Sequence, residues 1–158
     1  MTSEKSLQET YAPTSSCFGC GPTNDKGLRI RSFATGDGAD APVVLDWTSE
    51  KHHEAFEGVV NGGILGALLD CHMNWTTVHH LLKKNGLEHA PCCVTADFKV
   101  TLKRPTPAGP IHIEAKVVSS DEDRATIEAV MTAGGKVTAI GNGTFVAVKP
   151  GHPAYHRW

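Results

Sequence analysis

The sequence lacks a long apolar run, a secretion signal and a strong charge of one sign. No apolar stretch approaches the roughly 20 residues that a membrane-spanning helix needs, and the opening M-T-S-E-K-S-L-Q-E-T has no apolar core of a signal peptide. The formal net charge is -2, which excludes the basic surface typical of nucleic-acid-binding proteins and of proteins that bind anionic membranes. We therefore expect a cytoplasmic protein with no nucleic-acid partner and no membrane partner.

The sequence lacks an even set of cysteines, since it has five in a chain of 158 residues. A chain of this length can bury a single core without disulfides, so free thiols in a reducing compartment are the simplest interpretation. Cys17 and Cys20 have the spacing of half a zinc site, but no second C-x-x-C and no H-x-x-x-H follows at a finger-like distance. A redox pair is the other alternative, although the turn-rich G-P-T-N-D-K-G that follows is not a helix start. The sequence therefore predicts no metal site.

One long helix is the dominant predicted element. It begins at N-G-G, continues through an apolar block and ends at K-K-N-G, which supplies the cationic last turn and the glycine that helix ends favour. Asn61 is predicted to be the N-cap, and the helix is expected over about residues 61–84.

Small and polar side chains share one face of this helix. At about 100° per residue, the following positions fall within about 60° of one another: Gly63, Gly66, Ala67, Asp70, Asn74 and Thr77. We call these positions the small stripe. The large apolar residues lie mostly on the other side, so the small stripe is not the face that packs onto the core. A carboxylate among small residues loses hydration, which raises its pKa unless a partner compensates. The alternative is that Asp70 is a buried acid whose hydrogen bonds are satisfied.

Strands are predicted on both sides of the helix. Residues 28–34 and 43–48 form a hairpin, and a loop rich in His, Glu and Phe leads into the helix. After the helix the pattern changes to period two, which predicts strands at residues 94–102, 111–117, 125–131 and 137–148. Strict alternation places Thr95 and Phe98 on opposite faces, and two glycines in the last strand, Gly141 and Gly143, predict a bulge or bend there.

This order of elements predicts an α+β fold. Short turns favour antiparallel pairing, and an antiparallel sheet wrapped around one long central helix buries both apolar faces in a single core. That arrangement is the hotdog fold. We expect an N-terminal arm at residues 1–16, a single domain at 17–149 and an irregular C-terminal tail at 150–158.

Three segments resemble one protein family. G-V-V-N-G-G-I-L-G-A-L-L-D at residues 58–70 is similar to the H-G-G-x-x-x-x-L-x-D helix start of acyl-CoA thioesterases of the phenylacetate-degradation (PaaI) type, within the 4-hydroxybenzoyl-CoA thioesterase superfamily. C-F-G-C-G-P-T-N-D-K-G-L at 17–28 resembles the C-F-x-C-G-x-x-N-x-x-G-L segment of one branch, and V-T-A-D-F-K-V-T-L-K-R-P-T-P-A-G at 94–109 resembles the strand after the helix. The resemblance covers about residues 17–149.

The resemblance implies hydrolysis of a thioester, usually acyl-coenzyme A, without a metal or another cofactor. By position, Asp70 would activate water or attack the carbonyl, and Gly63, with Gly62 beside it, would present a backbone N–H to the oxyanion. Thr95 would help to hold the water or the carboxylate. Asn61 stands where the family has histidine, and it would be a supporting polar group that caps the helix but carries no charge.

The spacing of these residues predicts a homodimer. Gly63 and Asp70 are separated by roughly 10 Å along one helix at about 1.5 Å per residue, whereas a reacting carbonyl must lie about 3 Å from its oxyanion donors and close to the attacking group. Two antiparallel helices would bring the glycine end of one chain to Asp70 of the other. We expect an obligate homodimer with two shared sites, or a dimer of such dimers.

Further side chains are candidates for binding the substrate. They are Glu57, His53, Asn74, Lys99, Lys103 and Arg104. Glu57 would be an auxiliary acid, His53 would line the site, and the three basic residues would meet the phosphates of coenzyme A, with a solvated surface position as the alternative for Glu57 and for the basic residues. Two other functions remain open for the fold: a non-catalytic acyl-CoA-binding protein, and a hydratase or dehydratase, which would need the histidine that Asn61 replaces.

Overall fold

The computed structural model describes residues 4–156, which form two α-helices and eight β-strands. The helices are α1 (Leu7–Tyr11) and α2 (Gly62–Lys84). The strands are β1 (Phe33–Ala34), β2 (Val43–Thr48), β3 (Glu54–Phe56), β4 (Val59–Val60), β5 (Cys93–Leu102), β6 (Pro110–Ser120), β7 (Arg124–Ala133) and β8 (Lys136–Ala147). Residues 1–3 of the predicted arm and residues 157 and 158 of the predicted tail lie outside the described residues.

The central helix α2 has the extent that the sequence predicts. The side-chain Oδ1 of Asn61 accepts hydrogen bonds from the backbone N–H groups of Gly63 (2.8 Å) and Ile64 (3.2 Å), which satisfies two of the unpaired donors at the helix start. The helix ends at Asn85, followed by Gly86 with a φ of 59°. Within residues 4–156, no helix is both long and apolar enough to cross a membrane.

Six strands form one antiparallel sheet that wraps around α2, in the order β1-β2-β6-β7-β8-β5. The apolar side of α2 packs on this sheet, and the following helix side chains are buried in the shared core: Leu65, Leu68, Leu69, Met73 and Trp75. β6, β7 and β8 form a meander of neighbouring strands, whereas β5 pairs only with β8 and is therefore an edge strand. The predicted α+β architecture, one sheet around one long helix, is confirmed.

Two local predictions about the strands are wrong. The predicted strand at 28–34 is reduced to Phe33–Ala34, because Arg29 has a φ of 56° and this conformation breaks an extended chain. Of the bulge or bend predicted at Gly141 and Gly143, the bulge is absent, because both residues pair in regular register with β5 and β7; the register of β8 with β7 shifts at Thr138 instead. Gly141 instead makes room for the helix, since a Cβ there would lie 3.1 Å from the terminal methyl group of Met73.

A buried polar network joins the N-terminal arm to the helix. The Nε2–H of His72 donates to the carbonyl oxygen of Val43 (2.9 Å), so its Nδ1 accepts from the hydroxyl of Ser32 (2.8 Å). The side-chain amide of Gln8 in α1 donates in turn to Ser32 Oγ (3.0 Å). The side chains of Gln8, Ser32 and His72 are all buried, and Val43 contributes only its backbone carbonyl. This network therefore fixes α1 and β2 on α2.

Candidate functional site

Asp70 lies in the first half of α2 and faces the edge strand β5. Its carboxylate is half-buried and accepts a 2.7 Å hydrogen bond from the hydroxyl of Thr95 in β5. Burial raises the pKa of the Asp70 carboxyl, the Thr95 hydrogen bond opposes that rise, and negative charge on the nearby Cys17 sulfur would add to it. Within residues 4–156, no cation lies within ion-pair distance of this carboxylate. Asp70 is therefore a desolvated acid that a single hydroxyl supports.

A β-bulge brings Thr95 to Asp70. Thr95 pairs with Phe145 and Asp97 pairs with Thr144, so Ala96 is an extra residue that shifts the alternation of β5. Phe145 is buried in the core, and its partner Thr95 shares its face. The prediction that Thr95 and Phe98 face opposite ways is therefore wrong, since Phe98 pairs with Gly143, two residues from Phe145 on the same face. The bulge therefore places the Thr95 hydroxyl on the same face of β5 as the apolar residues that follow it.

The start of α2 offers free hydrogen-bond donors, but the predicted donor, the N–H of Gly63, is not among them. The N–H of Gly63, the predicted oxyanion donor, is occupied by Asn61 Oδ1. For the N–H of Gly62, no acceptor lies within hydrogen-bond distance among the described residues. Because Asn61 turns its oxygen towards the helix, its Nδ2 group points the other way and is a second donor at the helix tip. Asn61 and Gly62 are both exposed.

The first part of the small stripe, from Gly63 to Ala67, is open beside β5, whereas Thr77 at the far end of the stripe is buried. A Cβ at Gly66 would meet no atom within 4 Å, and Ala67 is only partly buried. Along the neighbouring edge strand, the side chains of Phe98 and Leu102 are 42% and 56% exposed. An edge strand of ten residues that carries exposed apolar side chains is a surface that proteins ordinarily cover.

A cleft of about 280 Å³ opens beside Asp70. It is lined by Ser15, Cys17, Cys20, Asp70, Cys71, Asn74, Trp75, Val94 and Thr95. Asn74 donates its side-chain N–H to the carbonyl of Cys93 (3.1 Å), while its buried Oδ1 has no partner among the described residues. A larger cavity of about 930 Å³ lies at the other end of α2, where Leu81 and Asn85 line it together with tail residues such as Tyr155, and Asp70 does not line it. The cleft that contains Asp70 and Thr95 is therefore the smaller of the two.

Three cysteine sulfurs meet in this cleft, a cluster that the sequence does not predict. Cys71, next to Asp70 in α2, lies with its Sγ 4.0 Å from that of Cys17, and the Sγ atoms of Cys17, Cys20 and Cys71 are all within 4.8 Å of one another. The indole N–H of Trp75 donates to Cys20 Sγ (3.4 Å). The C-x-x-C segment alone does not predict a contact with Cys71, because Cys71 lies in the helix, 51 residues after Cys20 in the sequence.

The other predicted binding residues lie apart from Asp70 or are otherwise engaged. The imidazole of His53 is buried against Trp47, with ring centroids 4.9 Å apart, and its Nδ1 accepts from the backbone N–H of Glu50 (2.9 Å). Glu57 is exposed in the turn between β3 and β4. The basic candidates are exposed on or just after β5: Lys99, Lys103 and Arg104. The structure thus brings Asp70, Thr95 and Asn74 together and leaves the charged candidates on the surface.

Comparison with known proteins identifies the fold. No protein-family model matches the chain, and no curated protein matches it by sequence. A thioesterase superfamily protein from Shewanella loihica PV-4 is 20% identical over 85% of this chain and 96% of that chain, with a TM-score of 0.63. The E. coli PaaI protein from the phenylacetic acid degradation operon is 15% identical over 77% and 81%, also with a TM-score of 0.63. The BH2602 protein from Bacillus halodurans, solved with CoA, is 20% identical over 77% and 76%, with a TM-score of 0.61.

These neighbours show that the chain has the same fold as thioesterase superfamily proteins. The predicted hotdog fold is confirmed, and the resemblance to the PaaI type is confirmed at the level of the fold.

Proposed function

We propose that this protein is a thioesterase that hydrolyses acyl-CoA esters, and that Asp70 is its base or nucleophile. The observation that carries the proposal is the environment of Asp70. The carboxylate is desolvated, has no cation to neutralise it within residues 4–156, and lines a cleft of about 280 Å³. A structural acid would ordinarily be paired with a cation or would accept several hydrogen bonds. The raised pKa also favours proton transfer from water, since it makes the carboxylate a stronger base.

In the proposed reaction, Asp70 removes a proton from a water molecule whose oxygen attacks the thioester carbonyl. The hydroxyl of Thr95 orients the carboxylate through its 2.7 Å hydrogen bond. The carbonyl oxygen becomes an oxyanion, which the Gly62 N–H and the Asn61 Nδ2 group stabilise at the positive end of the α2 dipole. The C–S bond then breaks, and the thiolate leaves with the proton that Asp70 held. If Asp70 attacks the carbonyl directly, the C–S bond breaks, CoA leaves as a thiolate that takes a proton from solvent, and a mixed anhydride joins the acyl group to Asp70. Water then hydrolyses this anhydride, which releases the acid and restores the Asp70 carboxylate.

This chemistry needs residues from two chains. Gly62 and Asp70 are separated by roughly 12 Å along α2 at about 1.5 Å per residue, which is too far for one carbonyl to contact both. A second copy would cover the small stripe and the β5 edge, with its Gly62 end at Asp70. We therefore propose a homodimer with two shared sites, either alone or as a dimer of dimers.

Coenzyme A is part of the proposed substrate, and the reaction uses no separate cofactor. The BH2602 neighbour was solved with CoA, which supports a CoA ester as the substrate class. Lys99, Lys103 and Arg104 are exposed near the Gly62 end, since a Cβ on Gly62 would lie 3.8 Å from the Leu102 side chain, and we propose that they meet the CoA phosphates. Glu57 belongs to the segment that leads into α2, where it would line the acyl-binding surface, whereas the buried His53 would support this segment through its contact with Trp47. The five free cysteines fit the reducing cytoplasm.

Asn61 favours a second candidate function, a non-catalytic acyl-CoA-binding protein. The amide cannot carry the charge of the histidine found in the resembling family, so the site could hold the ester without cleaving it. A hydratase or dehydratase is disfavoured for the same reason, because that chemistry needs an ionisable group opposite the acid.

The test is release of free CoA from a panel of acyl-CoA esters by the purified protein and by Asp70→Asn. Asparagine keeps the oxygen that accepts from Thr95, but it cannot take a proton, so we expect kcat to fall about 100-fold or more. Release at the wild-type rate by Asp70→Asn would refute the assignment. Binding of the ester without release by the wild type would identify the non-catalytic alternative.

The thermal stability of Asp70→Asn provides a control for this test. A folded-state pKa above the unfolded value means that Asp70 contributes stability below the unfolded pKa, and that this contribution is lost as the pH rises through the folded pKa. At neutral pH the charged Asp70 therefore destabilises the fold. We expect Asp70→Asn to have a higher Tm than the wild type at pH 7, with no such gain near pH 3. A lower Tm at pH 7 would indicate a structural role for the carboxylate.

A further inference from the structure

The three-cysteine cluster beside Asp70 joins two separate parts of the chain. Cys17 and Cys20 belong to the C-F-G-C-G turn that precedes β1, and Cys71 belongs to α2. Cys17 is exposed at the cleft, Cys71 is partly buried and Cys20 is buried. The proposed hydrolysis uses none of the three sulfurs.

The spacing of the sulfurs fits a single metal ion. With Zn–S bonds of about 2.3 Å, two thiolates on one zinc ion lie about 3.8 Å apart in tetrahedral geometry and about 4.0 Å apart in a trigonal plane. The Cys17 and Cys71 sulfurs are 4.0 Å apart, and all three lie within 4.8 Å of one another. A disulfide would require two sulfurs at about 2.0 Å, so the present spacing fits a shared ion better than a bond.

The turn is shaped so that the sulfurs converge. A Cβ at Gly19 would collide with the Cys71 sulfur, so glycine allows the turn to approach α2 at this point. A Cβ at Gly21 would collide with the backbone of Cys17 and of Ser15, and the N–H of Gly21 closes the turn on the carbonyl of Cys17 (2.8 Å). The indole N–H of Trp75 donates to the Cys20 sulfur, as outer hydrogen bonds do at thiolate ligands.

We propose that Cys17, Cys20 and Cys71 bind one zinc ion per chain, with water at the fourth position on the open side of the cleft. Thiolate sulfur is the ligand that selects zinc and similar soft ions. Each thiol releases its proton to solvent when it binds, so the ion with three thiolates carries one negative charge and no electron is transferred. The ion fastens the C-F-G-C-G turn to α2 next to Asp70. This proposal does not depend on the proposed thioesterase activity.

The test is metal binding by the reduced, chelator-treated protein. Cobalt(II) is added first, because its bonds to thiolates give an intense near-ultraviolet charge-transfer absorption, and zinc is then added to displace it. We expect one cobalt ion per chain, displacement by one zinc ion, and a higher Tm with zinc than without it. The proposal would be overturned if no charge-transfer absorption appeared. It would also be overturned if Cys17 and Cys71 formed a disulfide in the absence of reductant and no metal were bound.

Cysteine variants test whether the thiolates of Cys17 and Cys71 both bind the ion. Cys17→Ser changes an exposed residue and should leave the fold intact, and Cys71→Ser removes the ligand that α2 supplies. We expect each to weaken zinc affinity by more than about 100-fold, since even outer contacts of metal ligands are worth about 10–100-fold. The matched control is Cys92→Ala with Cys93→Ala, which removes two thiols outside the cluster and should bind zinc like the wild type. Unchanged affinity in Cys71→Ser, or lost binding in the control, would contradict a three-thiolate site.

Discussion

Asn61 has one observed role, capping α2, and one proposed role, stabilising the oxyanion, and a single substitution can separate them. Its Oδ1 caps α2 through the N–H groups of Gly63 and Ile64, and this cap in turn fixes the direction in which its Nδ2 group points. Capping is a property of the oxygen, whereas oxyanion stabilisation is a property of the nitrogen. Aspartate keeps the first group and replaces the second with negative charge.

We expect Asn61→Asp to fold with a Tm equal to or above that of the wild type, because aspartate is as good an N-cap and its charge is favourable at a helix start. Its kcat should fall about 100- to 1,000-fold, the usual cost of losing one oxyanion donor. Thermal unfolding and CoA release, measured on the same preparation, test both effects. Full activity in Asn61→Asp would place the oxyanion elsewhere.

Thr95 should control the pH at which Asp70 works. The Thr95 hydrogen bond lowers the pKa of the Asp70 carboxyl, against the effect of burial. Thr95→Val removes the bond at nearly constant volume, so the pKa should rise further. Because the reaction needs the ionised carboxylate, the acid limb of kcat/KM should move to higher pH, with the smallest loss of activity at alkaline pH. An acid limb at the wild-type position would show that Asp70 is not the titrating base.

At the scale of single elements, predictability depends on whether an element is determined locally. Helix α2 was predicted to within a residue because its cap, its apolar side and its glycine stop all lie in its own sequence. The bulge at Ala96 was missed, since it depends on how β5 matches β8 and no residue type at that position requires it. The meeting of Cys17 with Cys71 was missed for the same reason, because only the packing of the turn on α2 brings them together.

The attachment of α1 and β2 to α2 should fail in acid. Burial lowers the pKa of His72 to about 4 from its ordinary value of 6.5. A depressed histidine pKa contributes stability that is fully present above the unfolded pKa and is lost as the pH falls through the folded pKa. We therefore expect the free energy of unfolding to fall by about 3 kcal/mol between pH 6.5 and pH 4, at about 1.4 kcal/mol per pKa unit.

Denaturant unfolding across this pH range tests the prediction, with His72→Gln as the matched variant. Glutamine can donate to the Val43 carbonyl and accept from Ser32, but it does not titrate. Its unfolding free energy should therefore vary less with pH than that of the wild type, with the buried His79, whose pKa burial also lowers, accounting for part of the remaining slope. An equal slope in both proteins would assign the acid sensitivity to other groups.

At the scale of the whole molecule, the proposed reaction divides the functional groups of one chain into two separate sets. Asp70 and Thr95 form one set in the first half of α2, and Asn61 and Gly62 form the other at its tip. Between them the small stripe is open, and beside it the β5 edge exposes Phe98 and Leu102. A twofold partner would cover all of these features at once.

A shared site predicts that two inactive variants restore each other. In a dimer of one Asp70→Asn chain and one Asn61→Asp chain, one site combines the intact Asp70 of one chain with the intact helix tip of the other, while the second site carries both defects. Random exchange makes half of the dimers mixed, so a mixture that is unfolded and refolded together should recover about one quarter of wild-type activity.

Matched mixtures decide whether the two sets come from different chains. Asp70→Asn refolded with Asp70→Ala should stay inactive, because every site in that mixture lacks the carboxylate. Each variant refolded alone should also stay inactive, which excludes recovery by refolding itself. If Asp70→Asn and Asn61→Asp fail to complement although mass spectrometry shows mixed dimers, then the acid and the helix tip that act on one substrate belong to the same chain, and the geometry proposed for the reaction is wrong.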